Sequence, residues 1–368
     1  MDRWSLPGPA GFIAGVMEAL REGASVVVGA SLPSYAALAF TLEDRLAEQW
    51  RITGPLDPSG LPPLDDLYAA LDVEDDPSSR RSIPALMASI ASKRVILISG
   101  VDMPQWPAWR RFLDDYANAS RGVAAVDRSL LLVITAGVPK ARLPIKAPAL
   151  TPFIWDGVVG EADVFSYVIQ SLRRKGRCVD AQAKLVARII TRLALWDFDL
   201  IDRLLDLELV DLFNSTAAVM AAAEGLSALE HLGGTWEEGG LAEFDSEELQ
   251  HAVFLLRGGD PTGELTMRLW AAQASELLPA LEINRRQLAK RMKDARLRLP
   301  VNLNGELIHD LVDVEIGPLL HLARVLRLPP DIVRVAEKYS RLRNKLAHLS
   351  PLCADEALDP EILVSRRR

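Results

Sequence analysis

Three short apolar runs, each followed by a turn, dominate the first 140 residues of this chain. The runs cover residues 24–29, 94–99 and 129–135, and amphipathic patterns follow the first two at residues 35–50 and 106–119. Strands that are buried on both faces are apolar throughout, and here they alternate with helical patterns. The sequence therefore predicts an α/β domain with a parallel sheet.

The second half of the chain is mostly helical in pattern, because its apolar residues recur at three- and four-residue spacing. The predicted helices cover residues 162–175, 180–195, 199–212, 216–229, 264–298, 316–326 and 330–349. We therefore predict three parts, which are an α/β domain over residues 1–160, a helical linker or lid-like region over 161–240, and an all-α helical domain over 241–368.

Three segments interrupt or end these patterns. Residues 53–63 are dense in Pro, Gly, Asp and Ser and are predicted to form a loop. Residues 233–243 contain four glycines and a tryptophan, and helices are predicted to resume at Ser246. The segment after Pro351 is acidic and contains proline, and we predict that it frays.

Net charge and cysteine content narrow the possible classes of protein. The 368 residues carry 50 Asp and Glu against 42 Lys and Arg, a formal charge of −8, which argues against a protein that coats nucleic acid over its whole surface. Cys178 and Cys353 lie far apart, so neither a disulfide framework nor a zinc site is expected. Because the sequence has no long apolar stretch and no secretion signal, we predict a cytoplasmic protein without membrane contact. Because no metal-ligand motif and no intact nucleotide motif occurs, we predict neither a metal nor a cofactor.

The turn after the first apolar run stands where a phosphate-binding loop would lie. Such a loop reads G-x-x-x-x-G-K-[ST]. Its backbone N–H groups face the phosphates, its lysine reaches the β and γ phosphates, and its hydroxyl holds magnesium. Here Gly29 takes the first glycine position, but Ser34 replaces the second glycine, Tyr35 the lysine and Ala36 the magnesium ligand. ATP hydrolysis by the usual route is therefore not expected.

The next two apolar runs extend this pattern to a known family. Residues 95–102, VILISGVD, resemble the strand that ends in a magnesium-organising aspartate in AAA+ and STAND-type ATPases, and residues 130–136 resemble the sensor strand that follows it. The resemblance implies a P-loop NTPase-like domain with a degenerate nucleotide site at Gly29, Ser34 and Asp102. From the residues alone, Asp102 is equally well explained as a carboxylate that caps a loop or helix.

The resemblance covers about residues 20–160 and leaves three uses of such a domain open. Pro33 and Tyr35 can fill the vacated phosphate pocket, or a partner protein can dock there. Alternatively, an active ATPase can borrow a lysine or an arginine finger from a partner. Ala36 weakens the last alternative, because its side chain has no oxygen for magnesium.

Positive charge collects near the C-terminus. Residues 282–350 hold 14 Lys and Arg against 8 Asp and Glu, a local balance of +6. This excess either binds a polyanion such as RNA or belongs to the solvated faces of ordinary helices.

The last predicted helix carries side chains suited to phosphodiester chemistry. Its predicted apolar stripe consists of Ile332, Val335, Tyr339, Leu342, Leu346 and Leu349. Asn344 and His348, four residues apart, then share an exposed face, and Arg343 lies beside it. Histidine can move a proton near neutral pH and a guanidinium can bind phosphate, without a metal. A histidine at a helix end also commonly only caps carbonyl groups.

The order of Arg343, Asn344 and His348 resembles the R-x4-6-H pattern of HEPN domains, which have a polar residue after the arginine. The resemblance covers about residues 264–355 and implies a domain of antiparallel helices. In the ribonuclease members of that family, His and Arg meet across a dimer and cleave RNA without metal. The resemblance therefore implies these three residues as catalytic groups, RNA as a partner, and a homodimer.

Two functions from different classes follow from these patterns. In the first, the chain is an RNA-cleaving effector whose P-loop-like domain senses or recruits a partner, an arrangement that resembles prokaryotic conflict and phage-defence systems. In the second, it is a noncatalytic scaffold that assembles partner proteins, either with a HEPN-like interaction domain or with a pattern at residues 343–348 that arose by chance.

Overall fold

The computed structural model describes residues 2–71, 81–89, 94–177, 180–260, 262–295, 299–303 and 305–363. The chain forms two compact units, and each unit takes two segments of the chain. Unit 1 comprises Met1–Asp163 and Gly225–Phe254, and unit 2 comprises Val164–Glu224 and Leu255–Arg368. The three-part division predicted along the sequence stays a prediction.

Nine strands lie in the described residues. They are β1 Ser25–Gly29, β2 Arg51–Leu56, β3 Arg94–Asp102, β4 Leu130–Ala136, β5 Leu150–Ile154, β6 Leu241–Phe244, β7 Glu247–Gln250, β8 Val301–Leu303 and β9 Glu306–Ile308. The first five form one parallel sheet in the order β2-β3-β4-β1-β5, whereas β6 with β7 and β8 with β9 form antiparallel hairpins.

Fourteen α-helices lie in the described residues. They are α1 Pro7–Arg21, α2 Tyr35–Ala47, α3 Pro63–Ala70, α4 Ile83–Ser89, α5 Trp106–Ala119, α6 Glu161–Lys175, α7 Asp180–Ala194, α8 Phe198–Leu204, α9 Ser215–Ala223, α10 Ala252–Arg257, α11 Glu264–Asp294, α12 Ile316–Val325, α13 Pro330–Ala347 and α14 Ala354–Ala357. The predicted fold class, an α/β domain with a parallel sheet followed by a mostly helical region, is confirmed.

Helices cover both faces of the parallel sheet in unit 1. Val26 and Val28 of β1 pack in one apolar cluster with α1 and α2, while Val27 faces the opposite cluster, which includes Trp109 of α5. All five residues of β1 are buried, as expected for a central parallel strand. Each large apolar side chain removed from water contributes about 1.5 to 3 kcal/mol, so these two clusters hold the sheet between the helices.

The strand order creates a crevice at the carboxyl edge of the sheet. After β1 the chain turns into α2 on one face, but after neighbouring β4 it runs through Val138 and Leu143 on the other face. Ligands of open α/β sheets bind where adjacent connections diverge in this way. The turn after β1, where the sequence predicts a degenerate nucleotide site, lies at this position.

Two edge strands were not predicted. The predicted loop at residues 53–63 is wrong for its first four residues, because they continue β2 in parallel pairing with β3. β2 contains Gly54 and Pro55 and β5 contains Pro152. Proline is tolerated in a strand at a sheet edge, so a composition that indicates a loop is compatible here with an edge strand.

The prediction that helices resume at Ser246 is wrong. Asp245 and Ser246 both adopt left-handed backbone, with φ of 52° and 68°, and form the two-residue turn between β6 and β7. Two central residues with positive φ are typical of the turns that join tight hairpins. Helical structure resumes at α10.

In unit 2, the 31-residue helix α11 packs against α7 and α13, and α12 packs against α13. The segment after Pro351 does not fray as predicted over residues 352–362, since Leu352, Ala357 and Ile362 are almost completely buried. Their apolar contacts, which composition alone does not reveal, hold this segment in place. Among the described helices, none combines the length and the apolarity that crossing a bilayer requires.

Candidate functional site

Three backbone N–H groups in and after the turn that follows β1 are engaged within the chain. The N–H of Leu32 donates to the carbonyl oxygen of Glu237 at 3.0 Å, and the N–H groups of Ser34 and Tyr35 both donate to the carbonyl of Ser31, at 3.1 and 3.2 Å. A phosphate-binding turn needs such donors free to face the anion. A carbonyl oxygen, with its partial negative charge, bonds here to a donor that a phosphate would use.

Gly29 has a packing role in this turn. A Cβ atom at Gly29 would lie 2.4 Å from a methyl carbon of Leu143, so a larger residue there would displace the end of the Leu143 side chain. The carbonyl of Gly29 also accepts a hydrogen bond from the N–H of Trp155 at 2.8 Å. The first glycine of the degenerate pattern is thus explained by the packing of unit 1.

Gly137, directly after β4, allows the segment around Glu237 to approach the turn. Its φ is +69°, and a Cβ there would lie 2.9 Å from Leu32 and 3.0 Å from the carbonyl oxygen of Glu237. The N–H of Gly137 donates to Ala30, the residue after β1. We call this contact of Leu32, Gly137 and Glu237 the plug. All three residues belong to unit 1 and lie where the turn after β1 meets the end of β4.

The remaining predicted residues of the nucleotide site have local partners. The hydroxyls of Ser34 and Ser31 are hydrogen bonded to each other at 3.1 Å. The Tyr35 side chain lies against the turn at Gly100, where a Cβ would be 3.3 Å from its ring. The structure therefore places a tyrosine ring beside the end of β3, in the position that the sequence pattern reserves for a lysine.

Asp102 is engaged at the start of α5. Its carboxylate accepts a hydrogen bond from the N–H of Gln105 at 3.0 Å, while its own N–H faces the Gln105 side-chain oxygen at 3.3 Å. The Gln105 amide also donates to the carbonyl of Pro58 at 3.3 Å. This reciprocal pairing closes the turn between β3 and α5, and Gln105, the N-cap residue of α5, has no side-chain cap hydrogen bond. Across the described residues, no group of three or more His, Cys, Asp and Glu side chains is placed to hold a metal ion.

The end of α13 in unit 2 differs from the turn after β1, because its candidate side chains are exposed. Ile332, Val335, Tyr339, Leu342 and Leu346 form its buried stripe, while Arg343, Asn344 and His348 are exposed, as the spacing predicts. Leu349, predicted as part of the stripe, is instead 51% exposed. The helix ends at Ala347, and Leu349 adopts left-handed backbone with φ of 58°. Its side chain therefore leaves the helical periodicity.

Asn344 and His348 lie on a different side of α13 from Arg343. At about 100° per residue, Asn344 and His348 are about 40° apart around the helix, whereas Arg343 and His348 are about 140° apart. Within the described residues, neither the Asn344 amide nor the His348 imidazole is hydrogen bonded. One chain thus presents Asn344 and His348 together, and Arg343 apart from them.

Arg343 lines a cavity of about 180 Å³ between α11, α12 and α13, which sequence reasoning missed. Its guanidinium lies 3.7 Å from Glu315. Arg285 on the same cavity donates to Glu282 and to the carbonyls of Val312 and Val314. The hydrogen bond to Glu282 raises the pKa of Arg285, and the same bond lowers the pKa of Glu282. Two cations face two carboxylates, so this cavity is not selective for phosphate.

The basic side of α13 is partly neutralised by the segment after Pro351. Lys338 forms ion pairs with Asp359 and Glu361, and Lys345 pairs with Glu356 at 2.7 Å. Partial burial acts to lower the pKa of Lys338, but the hydrogen bonds and charges of Asp359 and Glu361 outweigh it and raise that pKa. The positive balance counted along the sequence therefore overstates the free charge on this helix.

Comparisons of the chain with known protein families and with curated proteins find no match. The architecture itself defines the class, which is a five-stranded parallel sheet covered by helices, compatible with a P-loop-like α/β domain, followed by a mostly helical region.

Proposed function

We propose that this chain is a noncatalytic interaction protein in its α/β unit, an adaptor built on a degenerate domain of the AAA+ or STAND type. The observation that carries this proposal is the hydrogen bond from the Leu32 N–H to the Glu237 carbonyl, which occupies a donor needed by a triphosphate. Tyr35 and Ala36 supply neither the lysine charge nor the magnesium oxygen. A fold can persist after its chemistry is lost.

Calorimetry with ATP and magnesium tests this proposal on the full chain. We expect no binding at 1 mM nucleotide, a concentration at which a site of 1 μM dissociation constant, worth about 8.2 kcal/mol, would be saturated. A second variant restores the sequence pattern through Ser34→Gly, Tyr35→Lys and Ala36→Thr. We expect no binding by this variant either, because the plug remains. Micromolar binding by the natural chain would overturn the adaptor proposal.

A second candidate function, RNA cleavage by unit 2, is favoured by the exposed Asn344 and His348. In this proposal, which follows the HEPN resemblance, His348 takes the proton of a ribose 2′-hydroxyl as its oxygen attacks phosphorus. The 5′ oxygen leaves and takes a proton from water, and a 2′,3′-cyclic phosphate remains. Arg343 stabilises the phosphate charge. Because Arg343 and His348 diverge on one helix, a second copy of the chain has to supply one of them.

An RNA cleavage assay with the purified chain tests the second candidate. We expect His348→Ala and Arg343→Ala each to lower the cleavage rate by about 100-fold or more, the usual range for loss of a proton carrier or an oxyanion partner. The control is His321→Ala, since His321 is an exposed histidine on α12. Light scattering records the oligomeric state of every variant. Equal cleavage by all four proteins would leave only the adaptor function.

If the second candidate holds, the chain is an effector of a prokaryotic conflict or phage-defence type system, with a recruiting α/β unit and an RNA-cleaving helical unit. If it fails, unit 2 is also an interaction domain, and the chain is a scaffold for partner proteins. Both proposals share the expectation that unit 1 does not hydrolyse ATP.

A further inference from the structure

A cavity of about 280 Å³ lies in unit 1 beside the carboxyl ends of β2 and β3, away from the plug. Its apolar walls come from Leu56 of β2, Ile98 of β3, Leu67 of α3 and Trp109 of α5, and its polar rim includes Asp57 and Asp66. Open α/β sheets bind ligands outside the carboxyl ends of their strands. The position, concavity and mixed lining of this cavity are those of a small-molecule site.

The rim of the cavity is negative. Asp57 is exposed, and no other described residue is paired with its carboxylate. Asp66 is held by Ser59, whose N–H donates to its carboxylate at 3.2 Å and whose hydroxyl bonds to it as well. The charged residues that line the cavity, Asp57 and Asp66, are both carboxylates. This sign of charge attracts cations and repels phosphates and carboxylates.

Trp109 gives the cavity wall an aromatic surface. Its side chain is 2% exposed and packs edge to face on Phe112, with 5.8 Å between the ring centroids. A fixed aromatic ring in the wall suits an apolar or cationic ligand.

We propose that this cavity binds a small organic cation, with an apolar body about the size of a phenyl ring against Leu67, Ile98 and Trp109 and a protonated amine at Asp57. The apolar walls supply the burial, and the rim carboxylate selects the charge. The proposal concerns a different part of unit 1 from the plug and does not depend on either proposed function.

The test uses the full chain and two probes of matched shape, phenethylamine and hydrocinnamate, which carry the same ring and chain with opposite charge. Calorimetry or ligand-observed NMR measures binding. We expect phenethylamine to bind with a dissociation constant below about 1 mM, and hydrocinnamate to bind at least tenfold more weakly. Absence of phenethylamine binding, or equal binding of both probes, overturns the proposal.

Two variants locate the site. Ala70→Trp fills the cavity from an exposed position of α3 and is expected to weaken phenethylamine binding at least tenfold, while Asp57→Asn is expected to weaken it about fivefold. The matched controls are Ala47→Trp and Asp44→Asn, which change exposed residues of α2. If Ala70→Trp has a lower melting temperature than the natural chain, Ala69→Trp replaces it, since Ala69 is also exposed and lines the cavity. Unchanged binding in the folded filling variant overturns the proposal.

Discussion

The carboxyl edge of the sheet in unit 1 and the end of α13 in unit 2 are both places where the sequence predicts a site, and they are built in opposite ways. At the sheet edge, the N–H groups of Leu32, Ser34 and Tyr35 are hydrogen bonded within unit 1. At the end of α13, the side chains of Asn344 and His348 are exposed and have no hydrogen-bond partner among the described residues. A binding site requires unused donors and acceptors, so these three N–H groups are lost to a ligand at the sheet edge, whereas both side chains at the end of α13 are available.

The largest expected effect comes from breaking the plug. Gly137→Ala places a Cβ within 2.9 Å of Leu32 and 3.0 Å of the Glu237 carbonyl, at a φ of +69°. Left-handed strain costs an alanine about 1 kcal/mol or more, and the crowding adds about 1 to 3 kcal/mol. We expect a loss of about 3 kcal/mol in the free energy of unfolding of unit 1, measured by urea denaturation.

The control for this substitution is Gly122→Ala. Gly122 has a φ of +81°, but a Cβ there would meet nothing within 4 Å. It should therefore cost only the backbone strain, about 1 kcal/mol. If the two variants lose equal stability, Leu32 and Glu237 are not closely packed on Gly137, and the sheet edge is as open as the end of α13.

The second prediction concerns the segment that lies against α13. Gln273 of α11 is fully buried, and its amide donates to the Leu352 carbonyl at 2.9 Å and accepts from the Leu352 N–H at 2.6 Å. Gln273→Ala removes the partner of two buried backbone groups, and each group left unsatisfied costs about 1 to 3 kcal/mol. We expect faster hydrogen exchange and proteolysis at residues 351–363. Gln287→Ala, at an exposed position of the same helix, should leave both rates unchanged.

The two regions also differ in how far the sequence could predict them. β1, β3 and β4 are buried apolar runs, and α5 agrees with its predicted bounds, because periodicity records burial directly. The exposed positions of Arg343, Asn344 and His348 follow from the apolar stripe of α13 by the same argument. Helix boundaries elsewhere differ by a few residues, where local caps decide them.

The plug could not be predicted in this way. Leu32 and Glu237 are distant in the sequence, and a backbone hydrogen bond between them leaves no residue pattern that could be recognised. Gly137 is the one local signal, because a glycine directly after a strand indicates an unusual φ or a close approach. Sequence could therefore show that the phosphate loop lacks its lysine, but not that the N–H groups of Leu32, Ser34 and Tyr35 are occupied.

A third prediction concerns the pH dependence of the acidic segment on α13. Partial burial acts to raise the pKa of Asp359 and of Glu356, but Lys338 and Lys345 outweigh it, and both pKa values are lowered. The stabilisation is therefore present where the unfolded carboxyl groups are ionised, above a pH of about 4. It is lost as the pH falls through the lowered folded-state pKa values.

Lys338→Met tests this pH dependence. We expect the variant to be less stable than the natural chain by about 1 to 2 kcal/mol at pH 7, since the Lys338 and Asp359 side chains are 18% and 23% exposed. The difference should shrink as the pH falls below 4 in urea titrations. Lys290→Met, at an exposed lysine of α11, serves as the control. A difference that is independent of pH would mean that Lys338 stabilises unit 2 through packing alone.

The smallest expected effect is at Leu349, immediately after His348. Its backbone closes α13, because the N–H of Ser350 donates to the Lys345 carbonyl at 3.0 Å, and this turn places Leu349 at a φ of 58° with its side chain 51% exposed. Glycine suits this conformation better than leucine, so Leu349→Gly should stabilise unit 2 by about 0.5 to 1 kcal/mol. A half-exposed leucine in left-handed backbone carries strain, and strained positions cluster at functional sites. If Leu349→Gly raises the melting temperature and also lowers RNA cleavage, Leu349 belongs to the functional surface at the end of α13. If it raises the melting temperature and leaves cleavage unchanged, that surface includes Asn344 and His348 but not Leu349.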